Sequence, residues 1–322
     1  MEHDPNLRIT LLGTGTIGLS FAAFHLSHLL SPSQLTIYDT RPDLETYIQT
    51  HLPSFYTHHQ TPIPLHKIRI AASLQEAVAN AHIIQESGPE NLDVKKKLWK
   101  EVEQYAPPDA LLWSSTSGIP ASEQNASMTD RSRLLVVHPY NPPHIMPLLE
   151  LVPSPSTHPD LIVRTQDFWR ARGRVPIHLK KEVTGFVANR LAFALLREAI
   201  HLVNEGVVGV EELDKIVESS MGPRWAVAGP FKSYTAGGGK GGLEGFFGNI
   251  GGTVQGCWDD AGRVSVGDGS GWEEKIFREA REAYGVVDTG ERDVVTRRVL
   301  NVIEEEREKR AKVGEIPGSL DA

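Results

Sequence analysis

Residues 7–18 read LRITLLGTGTIG, in which an apolar strand pattern leads directly into glycines at positions 13, 15 and 18. This spacing after a strand is typical of the turn that receives the pyrophosphate of a dinucleotide at the start of a helix. An alternative is that the glycines only permit tight packing of helix on strand, which would also account for the third of them. The residues predicted to hold the dinucleotide here are Gly13, Gly15, Thr16, Ile17 and Gly18.

The second strand-like segment, LTIYD at residues 35–39, ends in an acidic residue 21 positions after the last glycine of that turn. At this distance a carboxylate binds the adenosine ribose hydroxyls of a dinucleotide and repels a 2′-phosphate. Asp39 therefore favours NAD over NADP as the cofactor. Arg41 opposes this preference, because a guanidinium attracts a 2′-phosphate.

Short β-rich segments alternate with helical patterns along the first part of the chain. These segments lie at residues 7–13, 35–39, 68–72, 82–87, 110–116 and 133–139. Strands and helices in regular alternation are typical of a parallel sheet covered by helices on both faces. The predicted fold class is α/β, a Rossmann-type doubly wound parallel sheet.

The pattern changes near Thr184, where GFVANRLAFALLREAIHLVNEG at residues 185–206 predicts a long, mostly apolar helix. Further helical segments follow it. We therefore expect a dinucleotide-binding Rossmann domain over residues 1–183 and a second, mainly α-helical domain over residues 184–322.

Two segments of the second domain have unusual composition. Nine glycines between residues 236 and 252 predict a mobile loop, because glycine weakens regular elements. The charged segment from Arg292 to Lys312 predicts a surface helix, and the residues after it are expected to be disordered.

The composition excludes several classes of partner. The chain has 322 residues, a formal net charge of −8 and a single cysteine, Cys257. Because lysine and arginine are spread along the sequence, nothing in it predicts binding to nucleic acid or to a membrane. One cysteine permits neither an intrachain disulfide nor a cysteine-based metal site, and no metal is expected. The acidic start, MEHDPNLRIT, lacks the pattern of a secretory signal, so we expect a cytoplasmic protein.

A histidine stands at the end of RLLVVHP, residues 133–139, and is followed by the turn sequence PYNPP. Open α/β sheets bind their ligands at the carboxyl ends of the strands. Removal of a hydroxyl proton during hydride transfer requires a group with a pKa near neutrality, which histidine has. His138 is therefore predicted to be the proton acceptor and donor of a dehydrogenase.

Glu150 lies in PLLELVP, where a carboxylate interrupts an apolar strand pattern 12 residues after His138. A buried carboxylate without a partner is costly. A His–Glu pair removes this cost, because the carboxylate would orient the imidazole and stabilise its protonated form. The alternative is an edge strand that turns Glu150 towards water.

Two further polar residues are candidates for contacts with the substrate. Ser117, in SSTS at the end of another predicted strand, is placed to hold the reacting hydroxyl or, alternatively, to cap the next helix. Helical spacing puts Asn189 on an apolar stripe, where its amide either bonds internal backbone or donates to a substrate oxygen. That stripe consists of Ala192, Phe193, Leu196 and Ile200.

Taken together, GTGTIG, SSTSG, HPYNPP followed by PLLELVP, and GFVANR resemble the motifs of the 3-hydroxyacyl-CoA dehydrogenase family. The resemblance covers roughly residues 7–235. ESGPENLDVKKKLW, HPYNPPHIMPLLELVPSP, EVTGFVANRL and GPRWAVAGPF are most similar to the branch of lambda-crystallin, also called L-gulonate 3-dehydrogenase. That branch uses NAD to oxidise a small 3-hydroxy acid to the 3-keto acid.

The resemblance implies roles for individual residues. His138 would be the catalytic base, Glu150 its partner, and Ser117 and Asn189 the polar groups around the substrate oxygens. It also implies that Glu86 lies near the nicotinamide end of the cofactor. The helical domain would form a homodimer.

The substrate remains open between several members of the superfamily. Lys67 is the only lysine between residues 42 and 70, where CoA-dependent members carry a lysine-rich insertion, so a CoA phosphate would find little positive charge. Arg224, in MGPRW, is a candidate for a bidentate clamp on a free substrate carboxylate or, alternatively, for a salt bridge between domains. The activity of a 3-hydroxyacyl-CoA dehydrogenase nevertheless stays open.

Two more functions are compatible with the sequence. SYTAGGGKGGLEGFF at residues 233–247 is similar to L-carnitine dehydrogenases, in which an aromatic residue would suit a quaternary ammonium. The second function is that of a crystallin-type protein, which would bind NAD without catalysis. It stays open because a fold does not determine a function.

Overall fold

The computed structural model describes residues 4–56, 63–267 and 269–313. The chain divides into two compact units, residues 1–190 and residues 191–322. The domain boundary predicted after residue 183 stays a prediction.

The first unit is built on one eight-stranded sheet with the order β3-β2-β1-β4-β5-β6-β7-β8. All neighbouring strands are parallel except β6 and β7, which are antiparallel. The predicted class, a Rossmann-type doubly wound α/β sheet, is confirmed. The strands are β1 (Ile9–Leu12), β2 (Leu35–Tyr38), β3 (Arg69–Ile70), β4 (Ile83–Glu86), β5 (Leu111–Ser114), β6 (Leu134–Pro139), β7 (Leu148–Pro153) and β8 (Val175–His178).

Helices cover this sheet, and the central strands are buried along their whole length because both faces pack against apolar side chains. One face carries an aromatic cluster in which Trp113 of β5 packs against Phe168 and Trp169, with ring centroids 5.2 and 5.3 Å away. The helices of this unit are α1 (Thr16–Leu26), α2 (Leu44–His51), α3 (Leu74–Val78), α4 (Leu92–Tyr105), α5 (Ala121–Gln124), α6 (Pro159–Arg170) and the first residues of α7 (Ala188–Asn204).

The sheet departs from the predicted all-parallel arrangement at β7. Residues 140–147 are the whole connection between β6 and β7, which is too short for the crossover that a parallel neighbour requires. The two strands therefore form an antiparallel pair. β8 was not predicted, since three of its four residues are exposed and its sequence carries no strong apolar run.

The second unit is helical, as predicted. It contains the remainder of α7, followed by α8 (Val210–Ser219), α9 (Met221–Val227), α10 (Pro230–Gly237), α11 (Gly242–Asp260), α12 (Trp272–Tyr284) and α13 (Thr289–Val313). Helix α13 includes the predicted surface helix at residues 292–312. The disorder predicted beyond it falls on residues 314–322, which lie outside the described residues.

The prediction of a mobile loop between residues 236 and 252 is wrong, because α10, a short 3-10 turn and α11 occupy this stretch. Its glycines allow close packing instead. A Cβ atom on Gly238 would lie 1.7 Å from the carbonyl oxygen of Gly242, and one on Gly245 would lie 2.9 Å from that of Gly238. Only glycine lets the end of α10 approach the first turns of α11 this closely.

No helix among the described residues is long and apolar enough to span a membrane.

Candidate active site

The N-terminus of α1 forms a cradle for a dinucleotide. No side chain caps the helix, so the first N–H groups, including those of Thr16 and Ile17, have no partner within it. Gly13 has a φ of +98°, and a Cβ atom there would lie 2.8 Å from the carbonyl oxygen of Ser87. A Cβ atom on Gly18 would lie 2.1 Å from the carbonyl oxygen of Gly13, whereas Gly15 faces open space.

Asp39 closes one end of this cradle. Its Oδ2 accepts hydrogen bonds from the backbone N–H and the hydroxyl of Thr14, both at 2.7 Å. These bonds orient the carboxylate and leave lone pairs for ribose hydroxyls. Arg41, which opposed the NAD assignment, is engaged elsewhere. Its Nε donates to Asp43 at 2.9 Å and its guanidinium lies 3.2 Å from the ring centroid of Tyr47.

A cavity of about 500 Å³ lies along the cradle, between the ends of β1, β2 and β4 and the start of α4. The hydroxyl of Ser87, in this lining, is buried and has no hydrogen-bond partner among the described residues. An oriented acid, a helix N-terminus and an unsatisfied hydroxyl fit the adenosine diphosphate half of NAD. The lining residues are Leu12, Gly13, Thr14, Gly15, Tyr38, Asp39, Thr40, Ser87, Gly88, Pro89, Val94 and Leu98.

His138 and Glu150 face each other across the antiparallel pair of β6 and β7. They are partners in the strand register, and Nδ1 of the imidazole lies 2.8 Å from Oε2 of the carboxylate. The two residues are 5% and 2% exposed. Glu150 therefore has the buried partner expected from the sequence, and an edge strand facing water does not apply, because β8 covers β7.

The turn before α7 completes this pair. Gly185 and Phe186 both have positive φ angles, +72° and +53°, which aim the next two backbone N–H groups at Oε1 of Glu150. Val187 and Ala188 donate to that oxygen at 2.9 and 3.0 Å. The predicted helix from residue 185 therefore begins only at Ala188. The ring of Phe186 is fully buried and packs 5.2 Å from the imidazole of His138.

These contacts keep Glu150 ionised. Burial raises the pKa of the carboxyl, but the hydrogen bonds from His138, Ala188 and Val187 outweigh it, so the pKa lies below its ordinary value. A charged carboxylate on Nδ1 holds the imidazole in the tautomer whose Nε2 is available to a ligand.

Ser117 and Asn189 also lie together. The side-chain amide of Asn189 donates to the backbone carbonyl of Ser117 at 3.3 Å, which matches the internal bond considered from the sequence. Ser117 does not cap the next helix. That helix, α5, has Pro120 at its N-cap and no side-chain cap. The hydroxyl of Thr116 instead accepts the N–H groups of Gly118 and Ile119 in the turn before it.

Glu90, which the sequence did not single out, holds Ser117. Its Oε1 accepts the hydroxyl of Ser117 at 2.7 Å and also its backbone N–H. Burial raises the pKa of Glu90, but hydrogen bonds from Ser117 and Thr116 and the charge of Lys95 outweigh it and keep the pKa low.

Glu86 is buried and fully engaged. Its carboxylate accepts two bonds from Nζ of Lys95, at 2.7 and 2.9 Å, one from the hydroxyl of Ser114 and one from the N–H of Gly88. Glu86 thereby connects α4 and β5 to the wall of the cavity. The predicted contact of Glu86 with the nicotinamide stays a prediction. The sequence contained a signal for Lys95, since it shares a helical stripe with the buried Trp99 and Val102.

Arg224 lies on α9 in the second unit and is exposed. It forms no ion pair with any described residue, which leaves its guanidinium available to a ligand. The same residues contain no group of three or more His, Cys, Asp or Glu side chains placed to hold a metal.

Comparison with known proteins agrees with this geometry. Residues 8–183 match the 3-hydroxyacyl-CoA dehydrogenase NAD binding domain, and residues 185–258 match the C-terminal domain of the same enzymes. The chain belongs to the 3-hydroxyacyl-CoA dehydrogenase family. This family member is an NAD-dependent oxidoreductase, in agreement with the cradle and Asp39.

Relatives of this family member include dehydrogenases that are named for two different substrates. An L-carnitine dehydrogenase of Pseudomonas putida is 37% identical over 252 residues, which are 77% of this chain and 78% of the relative. A 3-hydroxyacyl-CoA dehydrogenase of Gibberella moniliformis is 35% identical over 260 residues, 78% of this chain and 80% of the relative.

The fold of this family member recurs in solved structures. The 5-dehydrogenase of 5-formyl-3-hydroxy-2-methylpyridine 4-carboxylic acid, described as an NAD⁺-dependent dismutase, aligns with a TM-score of 0.74 at 25% identity. The alignment covers 96% of this chain and 99% of that one. A 3-hydroxyacyl-CoA dehydrogenase of Archaeoglobus fulgidus aligns with a TM-score of 0.65 at 23% identity, covering 94% and 99% of the two chains.

Proposed function

We propose that this protein oxidises the hydroxyl group at carbon 3 of L-carnitine, or of a closely similar small 3-hydroxy acid, to the ketone. The observation that supports the chemistry is the 2.8 Å contact between Nδ1 of His138 and Oε2 of Glu150 at the ligand-binding edge of the sheet. The substrate class rests on the L-carnitine dehydrogenases that are 33–37% identical to this chain.

In this mechanism Nε2 of His138 removes the hydroxyl proton of the substrate. The α1 cradle and Asp39 would hold NAD, which would supply the acceptor for the hydride of carbon 3. Glu150 stabilises the imidazolium that forms, because its charge lies against Nδ1 and is fixed by two backbone N–H groups. In the reverse direction the same imidazole returns the proton to the carbonyl oxygen.

Ser117 and Asn189 hold the substrate oxygen during this step. The backbone N–H of Ser117 also bonds Glu90, so its hydroxyl can turn from Glu90 and donate to the substrate oxygen, whose own proton goes to His138. The amide of Asn189 uses one N–H on Ser117 and has a second to donate to the developing carbonyl.

Two residues of the second unit suit the charged ends of carnitine. Arg224 offers a bidentate partner for the carboxylate. Tyr234, in the segment SYTAGGGKGGLEGFF, is 42% exposed and packs beside Phe246 with ring centroids 4.8 Å apart. An aromatic face of this kind attracts a quaternary ammonium.

Three rival assignments have weaker support. The relative from Gibberella moniliformis favours a 3-hydroxyacyl-CoA as the substrate. The scarcity of lysine after β2 argues against this substrate, because a CoA phosphate would find little positive charge there. L-gulonate, expected from the sequence resemblance, has less support than L-carnitine. A crystallin-type protein without catalysis conflicts with the intact His–Glu pair.

A substrate panel tests the proposal. The purified protein is given NAD with L-carnitine, D-carnitine, L-gulonate, L-3-hydroxybutyrate or 3-hydroxybutyryl-CoA, and NADH absorbance is followed. We expect the highest kcat/KM with L-carnitine and weak activity with the D-isomer. If kcat/KM is higher with the CoA thioester or with L-gulonate than with L-carnitine, that compound is the substrate instead. If none of the five compounds is turned over, a crystallin-type protein without catalysis is favoured.

We also propose that the protein is a cytoplasmic homodimer formed through the helical unit. Helix α7 exposes four large apolar side chains, Leu191, Phe193, Leu195 and Leu196, at 62%, 60%, 37% and 52%. Contiguous exposed apolar side chains mark interaction sites, and homodimer interfaces are more apolar than the rest of a protein surface. Light scattering on the eluting protein should give twice the mass of 35.5 kDa, and a monomer at micromolar concentration would contradict the dimer.

A further inference from the structure

The helix that opens the cofactor cradle also holds the loop between His138 and Glu150. This loop, residues 140–147, joins β6 to β7 and is here called the 140–147 loop. Ser20 lies in the middle of α1 and is completely buried. Its hydroxyl contacts His144 of the loop twice, at 2.9 Å from the backbone N–H and at 2.8 Å from Nδ1 of the imidazole.

The directions of these two hydrogen bonds are complementary. The oxygen of Ser20 accepts the backbone N–H of His144, so its own proton is available for donation to Nδ1 of the same residue. One hydroxyl thereby fixes both the backbone and the ring of His144. A completely buried serine in an apolar helix needs such partners, since an unpaired hydroxyl in this position would be costly.

A second brace runs beside the first. The guanidinium of Arg174 lies 4.1 Å from the ring centroid of Phe24 on α1. The same guanidinium donates to the backbone carbonyls of three consecutive loop residues, each at 3.3 Å. These carbonyls belong to His144, Ile145 and Met146. The loop is thus tied to α1 at two places along that helix.

We propose that Ser20 and His144 are positioning residues for proton transfer, because they fix the 140–147 loop, and with it His138, relative to the helix that binds the dinucleotide. Neither side chain takes part in the chemistry. The proposal rests on the proposed role of His138 as base. Its physical basis is that a small displacement of an acid–base group from its reacting partner costs a large factor in rate.

The test uses Ser20→Ala and His144→Ala, with His144→Asn as the rescuing variant because its amide oxygen can accept the Ser20 proton. Ser27→Ala is the matched control. Ser27 directly follows α1 as its C-cap, and its hydroxyl also lies close to a histidine Nδ1, that of His28 at 2.9 Å, but it contacts no residue of the loop.

Amide hydrogen exchange gives a readout that does not depend on the substrate. We expect Ser20→Ala and His144→Ala to speed exchange in the 140–147 loop on the order of tenfold, with the rest of the sheet unchanged. NADH affinity, measured by its fluorescence, should stay within about twofold of wild type, since the N-terminus of α1 is untouched.

The catalytic readout uses the best substrate of the panel. We expect kcat to fall on the order of tenfold, with a larger isotope effect from deuterated substrate because hydride transfer becomes slower than product release. His144→Asn should recover most of the loss, and Ser27→Ala should behave as wild type.

Three outcomes would overturn the positioning role. These are unchanged loop exchange in Ser20→Ala, a kcat within twofold of wild type in both alanine variants, or a lower melting temperature with neither of the expected changes. His138→Ala is assayed in parallel. If that variant keeps normal turnover, the proposed base is wrong, whereas an inactive His138→Ala beside fully active Ser20 and His144 variants rejects only the positioning role.

Discussion

Ser117 is held by the carboxylate of Glu90 through two donors at once, its backbone N–H and its hydroxyl. Glu90 follows β4 and Ser117 follows β5, so this contact joins two neighbouring strand ends at the ligand-binding edge. Thr116 donates to the same carboxylate, at 2.7 Å to Oε2. Glu90 therefore determines where the hydroxyl of Ser117 points.

Glu90→Ala should lower kcat/KM for the 3-hydroxy substrate by about tenfold or more, because Ser117 loses the acceptor that orients it. Glu103→Ala is the matched control, since that carboxylate also accepts two backbone N–H groups, from Thr129 and Asp130, outside the site. Steady-state kinetics on both variants checks the prediction. Equal kinetic constants in the two variants would contradict it.

Glu150→Gln should reduce kcat by about a hundredfold or more while NADH affinity stays near that of wild type. The amide keeps the size of the side chain but removes the charge that stabilises the imidazolium of His138. His138→Ala should lose most turnover as well, and the double variant should be little worse than either single one, because the two residues act as a unit. Multiplicative losses in the double variant would argue against a His–Glu dyad.

Asp39→Asn should raise the dissociation constant for NADH about tenfold and narrow the preference for NAD over NADP. The carboxylate provides both the acceptors for ribose hydroxyls and the negative charge that repels a 2′-phosphate. Fluorescence titration with NADH and NADPH measures both effects. Asp167→Asn, at an exposed residue paired with Arg170, is the control. A variant with wild-type discrimination would show that Asp39 does not select the cofactor.

His25 should make the folded protein less stable in mild acid. Burial lowers the pKa of this fully buried imidazole from 6.5 to about 3, despite its hydrogen bond to Gln85. Between these values the unfolded chain binds the proton and the folded chain does not. The free energy of unfolding is therefore unaffected by His25 above pH 6.5. Below that pH, and down to about pH 3, it decreases by about 1.4 kcal/mol for each pH unit.

Urea unfolding at pH 7, 6 and 5 tests this effect in the wild type and in His25→Phe. The phenyl ring suits the site because Phe21, Phe24 and Trp169 surround it. We expect a shallower loss of unfolding free energy with acid in the variant. The same pH dependence in both proteins would show that another group titrates.

Phe186→Ala should destabilise the protein by about 3–5 kcal/mol, the usual cost of removing a buried phenyl ring. It should also lower kcat, because the ring packs against the imidazole of His138. Phe186→Leu refills part of the space and should recover stability more than activity. Thermal unfolding and kinetics separate the two effects, and a Phe186→Ala variant with wild-type kcat would limit Phe186 to packing.

Local sequence patterns were sufficient for the fold class and for the position of the cofactor cradle. The glycine turn and Asp39 follow strands at fixed distances, and that spacing is set by backbone geometry within a single strand–turn–helix unit. The same patterns failed between residues 236 and 252, because glycines that permit close helix packing and glycines that loosen a loop look alike in a sequence. Ser20, Glu90 and Phe186 were missed because their roles depend on residues far away in the chain.

The sequence alone determined that His138 lies at the carboxyl end of a strand and that Glu150 follows in an apolar strand, since both facts depend on neighbouring residues. The tertiary structure decided that β7 runs back beside β6 in the register that sets these two side chains 2.8 Å apart. It also decided that the turn at Gly185 and Phe186 turns two backbone N–H groups towards the same carboxylate. A buried charge requires several donors from different parts of the chain, and only the folded chain brings them together.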